Sequence, residues 1–325
     1  MARYILRRIL LMIPVLLGVT IFIFLILHFA PGDPARQILG ESASEQAVQE
    51  LREELGLNES LWSQFWTYLT GVLHGDFGVS YMTRSSVRDA ILSRYPTTFL
   101  LATLSVVVMV AIGLPIGIIS ATKQYSILDR ITTAIALVGV SMPAFWTGML
   151  LVLIFSLQLG LLPPSGFDTP LHWIMPSVAI GFNGAAIMMR MTRSSMLEVI
   201  RSDYIRTARA KGQSEKKIII HHALKNALIP IITVIGLQMG LQLGGAMVTE
   251  SVFSIPGLGS YMLTAIKARD YPVVQGGVIF IACTFSLVNL VVDIVYAFID
   301  PRIKAQYKSK KSKANRSKAR TEVNG

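Results

Sequence analysis

Residues Asp203–Pro230, DYIRTARAKGQSEKKIIIHHALKNALIP, form a strongly basic segment between two long uncharged apolar runs. A segment with this charge stays in water, whereas the flanking runs have the composition of helices that lie in lipid. The sequence therefore predicts a membrane protein that presents a structured basic element to the cytosol. We interpret that element as a docking surface for a partner; the alternative is a basic helix that rests on anionic lipid.

The composition of the whole chain favours the same class. Of its 325 residues, 52% are hydrophobic and 15% are charged, and the mean hydropathy is +0.55, whereas soluble domains carry about 25% charged residues. A helix needs about 20 apolar residues to cross the hydrocarbon. We predict an all-α membrane protein with six transmembrane helices, from six stretches that contain no Asp, Glu, Lys or Arg: Ile9–Leu27, Thr97–Ala121, Ile131–Gln158, Trp173–Met189, Asn226–Thr249 and Pro272–Val292.

The distribution of Lys and Arg predicts the orientation of these spans, because short cytosolic loops carry an excess of positive charge. Basic residues are dense before the first span, between the fourth and fifth spans, and after Asp300. The alternate loops are poor in them, since Leu159–His172 has none and Glu250–Tyr271 has two. We expect both termini in the cytosol, and the net charge of +11 then reflects topology instead of a nucleic-acid site.

Three features of the chain argue against cleavage of the first helix, against disulfides and against a metal site. The first apolar run is longer than a typical signal-peptide core, and residues His28–Gly32 make a poor cleavage site, so we expect an uncleaved helix. The single cysteine, Cys283, lies inside the sixth span and excludes a disulfide framework. His221 and His222 are adjacent and would point about 100° apart on a helix, which disfavours a shared metal ion.

The charge and hydropathy pattern divides the chain into four predicted parts. They are a cytosolic N-terminus with the first helix at 1–30, an extracytoplasmic insertion at 31–96, a five-helix core at 97–304 with a cytosolic loop at 190–225, and a basic tail at 305–325. The tail is rich in Lys and Ser and has almost no apolar residues. We expect it to be disordered and attracted to anionic lipid.

The insertion is predicted to contain two helices. The first is Ser44–Leu55, with Ser44 as its N-cap, and the second is Asn58–Leu73. The second helix is aromatic-rich, with Trp62 and Trp66 among its members. These aromatic side chains form a small core, a belt at the membrane interface or a peptide-binding surface, and a core or a belt is the commoner outcome.

The cytosolic loop at 190–225 is predicted to contain a helix, a glycine break and then a short helix. Residues Ser195–Glu198 have the spacing of a capping box. Gly212 interrupts the helical pattern, and Ser214 precedes a second short helix that ends near His222. The first helix carries an apolar stripe at helical spacing, made of Met196, Val199, Ile200, Tyr204 and Ala208.

Two parts of this segment, TARAKG at Thr207–Gly212 and HALKNALIP at His222–Pro230, resemble the cytosolic EAA loop of binding-protein-dependent ABC importer permeases of the dipeptide/oligopeptide/nickel group. Arg206 stands where the general pattern has Glu, and Lys225 stands where it has Pro. Both substitutions look like that group's usual variant. The resemblance runs from residue 1 to about 306, through further motifs that look like the first permease of such pairs: Tyr4–Arg8, Pro31–Pro34, Gly75–Ser80, Ser141–Trp146 and Glu250–Gly259.

This resemblance implies a type I importer with several subunits in the bacterial inner membrane. Two homologous permeases form the pore, two ATPases dock on the coupling helices, and an extracytoplasmic solute-binding protein delivers the cargo. The chain has no GxxxxGKS/T phosphate loop, so it is expected to be non-catalytic, with ATP and Mg²⁺ bound by partner subunits. The resemblance places the coupling helix near Gly212–His222 and implies these ATPase-docking residues: Arg206, Thr207, Ala208, Lys211, Gly212, Gln213, Ser214 and Lys217.

The fifth span has two chemically distinct faces. Glycines at spacing i, i+4, i+8 predict close packing with a neighbouring helix, and they are Gly236, Gly240 and Gly244. Gln238 and Gln242 lie on roughly the opposite face, and polar side chains at membrane depth are expected to face the protein interior. The two glutamine side chains either line the pore or form hydrogen bonds with neighbouring helices. The predicted pore-lining set is Gln238, Gln242, Thr249 and, in the fourth span, Asn183.

Two other functional classes are disfavoured. An intramembrane protease or lipid-processing enzyme needs a nucleophile–base or metal pair at membrane depth, and neither GxSxG nor HExxH occurs. A self-sufficient ion channel needs a selectivity filter and has no use for a basic docking segment. Within the transporter class the solute stays open, because dipeptides, longer peptides, glutathione and nickel chelates all use this architecture.

Overall fold

The computed structural model describes residues 2–29, 32–40 and 42–299. Within these ranges the chain is helical, and its one β-type pairing is an isolated bridge between Val79 and Ser86. The predicted all-α class is confirmed for this part of the chain. The predicted disordered tail, residues 305–325, lies outside the described residues.

The described residues form fourteen α-helices, with a π-helical turn after α7 at Val152–Gln158, a second one before α11 at Ile218–Leu224, and a 3-10 turn before α8 at Pro170–Trp173. In chain order the α-helices are α1 Ala2–Phe29, α2 Pro34–Leu39, α3 Glu45–Glu54, α4 Leu61–Leu73, α5 Val87–Thr122, α6 Ile127–Ser141, α7 Ala144–Leu151, α8 Ile174–Ile200, α9 Asp203–Ala210, α10 Glu215–Lys217, α11 Lys225–Gly245, α12 Met247–Val252, α13 Leu258–Lys267 and α14 Tyr271–Ile299.

Among the described residues, five helical stretches are long and apolar enough to cross a membrane, namely Ile5–Phe29, Val87–Thr122, Pro170–Ile200, Glu215–Gly244 and Tyr271–Val295. A sixth crossing requires Ile127–Ser141 and Ala144–Gln158 together, and these two pieces are bent by 105° at their junction. Six crossings therefore agree with the prediction when the bent pair counts as one. The prediction of one continuous helix over Ile131–Gln158 is wrong.

Proline causes the bend in this third crossing. Pro143 lacks a backbone N–H and disfavours helical dihedral angles at Met142, whose φ of −88° and ψ of 126° are extended. The carbonyl groups left at the end of α6 receive a donor from α8. The side-chain nitrogen of Asn183 lies 3.1 Å from the Gly139 oxygen and 3.4 Å from the Met142 oxygen. The amide of Asn183 thus fastens α8 to the bend.

The first helix of the insertion forms where its cap predicts. α3 follows Ser44, whose Oγ accepts a hydrogen bond from the Ala47 N–H at 3.2 Å. The second helix, α4, begins at Leu61, later than the predicted Asn58, because Ser60 is the residue that caps it. A side-chain cap outweighs hydrophobic pattern in setting a helix start.

One helix crosses the boundary predicted between the insertion and the second span. α5 begins at Val87, where Ser86 accepts a hydrogen bond from the Asp89 N–H, and it runs through the predicted boundary at residues 96–97. Pro96 lies inside the helix and removes one backbone hydrogen bond without ending it. The first turns of α5 thus belong to the same rigid element as the predicted second span.

α8 is longer than the predicted fourth span. It runs without interruption over Ile174–Ile200, so the predicted end at Met189 and the predicted helix start at Ser195 are both wrong. Packing against α5 sustains it. A Cβ built on Gly117 would lie 2.6 Å from the Thr192 Cβ, so the two backbones approach more closely than larger residues would allow.

The three predicted packing glycines of α11 lie against α14. A Cβ built on Gly236 would lie 2.2 Å from a side-chain carbon of Val292, and one on Gly240 would lie 2.3 Å from the ring of Phe285. Gly244 has more room, since the nearest atom to a Cβ there would be 3.6 Å away. The glycines therefore permit close contact between these helices, most tightly in the first two turns of the stripe.

Candidate functional site

The basic segment folds onto one end of the helix bundle, where α8 ends and α11 begins; we call it the basic end. Ile205 of α9, Ile218 and Ala223 are fully buried and share one core cluster with Met196 of α8. Full burial of an isoleucine side chain contributes about 2 kcal/mol to folding. The segment is therefore an ordered part of the bundle and not a solvated loop.

The opposite side of this segment presents the predicted docking residues to solvent. Ala208 and Gln213 are half-buried beneath them. The remainder form one exposed and largely basic surface around the turn between α9 and α10, which we call the basic turn surface: Arg206, Thr207, Lys211, Gly212, Ser214 and Lys217. An ordered surface of this charge suits a partner with carboxylates or a helix C-terminus.

Gly212 allows the sharp turn at the centre of this surface. Its φ is +76°, in the left-handed region that glycine adopts without strain. The Gly212 N–H donates to the Arg209 oxygen at 2.9 Å, and the Gln213 N–H donates to the Ala208 oxygen at 3.3 Å, which is the hydrogen-bond pattern of a Schellman helix end. Nothing lies within 4 Å of a Cβ built on Gly212. Backbone conformation, and not space, thus restricts this position to residues that tolerate the left-handed region.

Two side-chain pairs brace the turn. The Arg209 guanidinium donates two hydrogen bonds to the Glu215 carboxylate, at 2.7 and 3.2 Å. These bonds raise the pKa of the Arg209 guanidinium above its ordinary value. On the other side, Nε2 of His222 lies 2.7 Å from Oε1 of Gln213. The turn is therefore held in one shape relative to the start of the α10–α11 helix.

The helix boundaries at the basic end differ from those predicted. The short separate helix is α9, whereas Glu215–His222 forms the first turns of a continuous helix that leads into α11. The prediction of a separate short helix between Gly212 and His222 is wrong. No glycine or proline interrupts the chain between Glu215 and Ile229, so nothing stops the helix once Ser214 has begun it.

A buried ion pair that the sequence did not reveal supports the basic end. Asp129 at the start of α6 is buried and accepts two hydrogen bonds from Arg193 of α8, at 2.8 and 2.9 Å. Its carboxylate also accepts from the Ser120 hydroxyl and from the Tyr125 N–H. The pair joins α5, α6 and α8 at the end where α9 packs. In the sequence, Arg193 contributed only to the count of basic residues.

The predicted polar face of α11 turns toward the interior of the bundle. A Cβ built on Gly184 of α8 would lie 3.2 Å from Nε2 of Gln238, so Gln238 borders α8. Gln242 is buried, and among the described residues neither atom of its amide has a hydrogen-bond partner. Thr249 is buried in α12. An unpaired buried amide costs about 1–3 kcal/mol, and within the described part of the chain Gln242 bears this cost on the polar face of α11.

A buried carboxylate organises the opposite end of the bundle. Oε1 of Glu250 accepts from the Thr98 hydroxyl at 2.6 Å, and Oε2 accepts from the Ser260 N–H at 2.8 Å. A Cβ on Gly257 would lie 2.4 Å from this carboxylate, so the Glu250–Gly259 motif requires glycine beside it. Glu250 therefore has a structural hydrogen-bonding role.

A second buried carboxylate ties the insertion to the bundle. Asp270, just before α14, accepts hydrogen bonds from the Ser80 hydroxyl and, at 3.0 Å, from the Tyr81 N–H. The sequence motif around Gly75–Ser80 gave no indication of this partner, which lies 190 residues away. The contact sets how the insertion sits over the start of α14.

Comparison with known proteins identifies a family that matches this chain. The family described as "Binding-protein-dependent transport system inner membrane component" matches residues 113–305, and its N-terminal counterpart matches residues 1–102. The dipeptide transport system permease protein DppB of Alkalihalophilus pseudofirmus is 46% identical, over 94% of this chain and 100% of that protein. The glutathione transport system permease protein GsiC of Escherichia coli strain K12 is 45% identical, over 94% of this chain and 99% of that protein.

One similarity to a solved structure concerns the fold alone. The MetNI methionine ABC transporter, in an inward-facing conformation, matches with a TM-score of 0.54 and 18% identity, over 65% of this chain and 96% of that chain. The helical core described above therefore has the type I importer permease fold.

Proposed function

Because the chain belongs to the family of binding-protein-dependent transport system inner membrane components, we propose that it forms half of the pore of an importer for dipeptides or a closely related small solute. It is a multi-pass membrane permease of the ABC importer class. The observation that carries the choice of solute is the identity of 46% over the whole length of a dipeptide permease. Glutathione is the second candidate, since a glutathione permease is 45% identical.

In the proposed assembly, a second homologous permease completes the pore and a solute-binding protein delivers the cargo. One of two ATPases binds the basic turn surface of this chain and the other binds the second permease, and the ATPases bind ATP and Mg²⁺. Support for this docking site comes from its order: the turn is exposed, Arg209 and Glu215 brace it, and Ile205 anchors it in the core. α9 is packed into the same core cluster as α8, since that cluster contains both Ile205 and Met196, so movement of α9 would be transmitted to α8 through this core.

In the same assembly, Gln238 and Gln242 border the path of the solute. Gln242 supports this proposal because its buried amide has no partner within the described part of the chain. A peptide carries amide groups that offer both a donor and an acceptor to such a side chain. Asn183 does not share this property, since the carbonyl groups at the α6–α7 bend already engage its amide.

The solute assignment is tested by uptake into proteoliposomes that contain this chain, its second permease and both ATPases. We expect uptake of a radiolabelled dipeptide to rise about tenfold when ATP and binding protein are both added. A tenfold rise corresponds to a decrease of about 1.4 kcal/mol in the activation free energy of transport. Omission of the binding protein is the control. Uptake of glutathione but not of dipeptide would reassign the solute, and failure of both, together with a nickel chelate, would contradict the proposed solute class.

We further propose that both termini and the basic end are cytosolic, on the strength of the alternating Lys and Arg content of the loops. The test uses Cys283→Ser as background with Ser44→Cys or Ser214→Cys, two exposed positions that each precede a helix. We expect a membrane-impermeant maleimide to label Ser44→Cys in intact cells and Ser214→Cys only after permeabilisation. Labelling of Ser214→Cys in intact cells would reverse the proposed orientation.

A further inference from the structure

The helix α4 has two aromatic faces with different surroundings. One face packs against the end of α1: the ring of Phe65 lies 5.3 Å from that of Phe24, and the ring of Tyr68 lies 6.3 Å from it. The other face carries Trp62 and Trp66, which stack on each other at 6.3 Å and are 72% and 56% exposed. An indole pair with this exposure is unusual on a water-facing surface.

The position of Phe24 sets the depth of this indole pair. Phe24 lies five residues before Phe29, the last residue of α1, which corresponds to about 8 Å along the helix. α1 is a candidate membrane span, so the contact with Phe65 and Tyr68 lies near the level where that span leaves the hydrocarbon. Trp62 and Trp66 lie within about one turn of these contacts along α4.

The chemistry of α4 fits that depth. The helix LWSQFWTYLTGVL contains no Asp, Glu, Lys or Arg, whereas the neighbouring helix EQAVQELREE contains five. Exposed Leu73 extends the apolar face of α4 to its last turn. α1 continues this surface toward the bilayer, because Phe22, Ile26 and Phe29 are also exposed. Trp is enriched where a bilayer meets water, since its ring is apolar and its N–H is polar.

The location within the bundle favours lipid over a second permease. α4 contacts α1, and α1 packs on α14, where Arg8 and Asp293 form an ion pair at 2.8 Å. The close-packed centre of the chain is elsewhere, along α5 and α8. α1 and α4 thus lie away from that centre, and both expose large apolar side chains.

We propose that the α4 face formed by Trp62, Trp66 and Leu73 is seated in the boundary between headgroups and acyl chains, in the leaflet at the C-terminal end of α1. α4 then anchors the insertion to the bilayer and fixes its height above the pore. The inference is independent of the transported solute. Its chemical partner is the phospholipid interface, which accepts hydrogen bonds from indole N–H groups at the ester carbonyls.

The test measures tryptophan fluorescence of the assembled importer in vesicles of phosphatidylcholine brominated near either the ester end or the methyl end of the acyl chain. Subtracting the signal of the Trp62→Phe/Trp66→Phe variant isolates the two indoles. We expect ester-end bromine to quench this difference signal at least about twofold more than methyl-end bromine, and aqueous iodide to quench it weakly. Trp146→Phe, which removes an indole in α7, is the matched control for the subtraction.

Three outcomes would overturn the proposal. Strong quenching by iodide with none by brominated lipid would place the indoles in water. Shielding from iodide that appears only when the solute-binding protein is added would make the face a protein-docking surface. Stronger quenching by methyl-end bromine would place α4 inside the hydrocarbon.

Discussion

Gly212→Pro is expected to leave the permease inserted in the membrane and to abolish coupling between ATP hydrolysis and uptake. Proline holds φ near −65°, whereas this position has a φ of +76°. Proline also removes the N–H that donates to the Arg209 oxygen at 2.9 Å. Together these two effects cost about 3 kcal/mol or more if the turn keeps its shape, so the basic turn surface would distort. A free-energy cost of this size corresponds to a loss of about 100-fold in the population of permease docked to the ATPase.

Gly212→Asn is the matched control for this prediction. Asparagine tolerates the left-handed conformation, and nothing lies within 4 Å of a Cβ at this position. We expect this variant to keep uptake within about fivefold of the parent, because the exchange costs about 1 kcal/mol or less. The measurements are uptake and stimulation of ATP hydrolysis by loaded binding protein, beside the amount of chain in the membrane.

The two Gly212 variants separate backbone shape from direct contact. Normal uptake and stimulation in Gly212→Pro would show that the basic turn surface is not the ATPase-docking site. Equal loss in both variants would mean that the partner needs the absence of a side chain, so that contact, and not turn geometry, is at stake.

Gly240→Ala is expected to destabilise the permease, although alanine is the better helix former. The added Cβ would lie 2.3 Å from the Phe285 ring, and overpacking of this kind costs about 1–3 kcal/mol. Gly244→Ala is the same chemical change one turn away, with 3.6 Å to the nearest atom. It should be neutral or stabilising by up to about 1 kcal/mol, because alanine is favoured in helices. The measurements are the thermal unfolding temperature and the yield of assembled complex.

A double-mutant cycle with Phe285 and a substitution on the opposite, polar face of α11 extend the prediction for Gly240. In a Phe285→Ala background, Gly240→Ala should have almost no further cost, since its clash partner is gone. Gln242→Leu should keep the assembly intact, because it removes a buried amide that has no described partner, while it lowers or alters uptake. Normal assembly of Gly240→Ala together with loss of assembly in Gln242→Leu would exchange the roles of the two α11 faces.

Local composition was enough to predict several elements of this protein. The apolar stretches predicted the number of membrane crossings. A spanning helix satisfies its backbone hydrogen bonds within its own segment, so the hydropathy of that segment is enough to identify it. Ser44 predicted the start of α3, because a cap bonds an N–H three residues away. The TARAKG and HALKNALIP motifs predicted the permease family, which the relatives confirm.

Tertiary structure decided what local patterns could not. α8 reaches Ile200 because α5 packs along it, although the Ser195–Glu198 pattern resembles a helix start. The carboxylate clusters at the two ends of the bundle join residues far apart in sequence: Asp129 meets Arg193 across 64 positions, and Thr98 meets Glu250 across 152. The partner of each buried carboxylate depends on how whole helices approach each other. The two members of such a pair are too far apart in the sequence for a local pattern to contain both. The sequence by itself determined the membrane class and the family, whereas packing determined which polar groups are satisfied and left the Gln242 amide unpaired within the described chain.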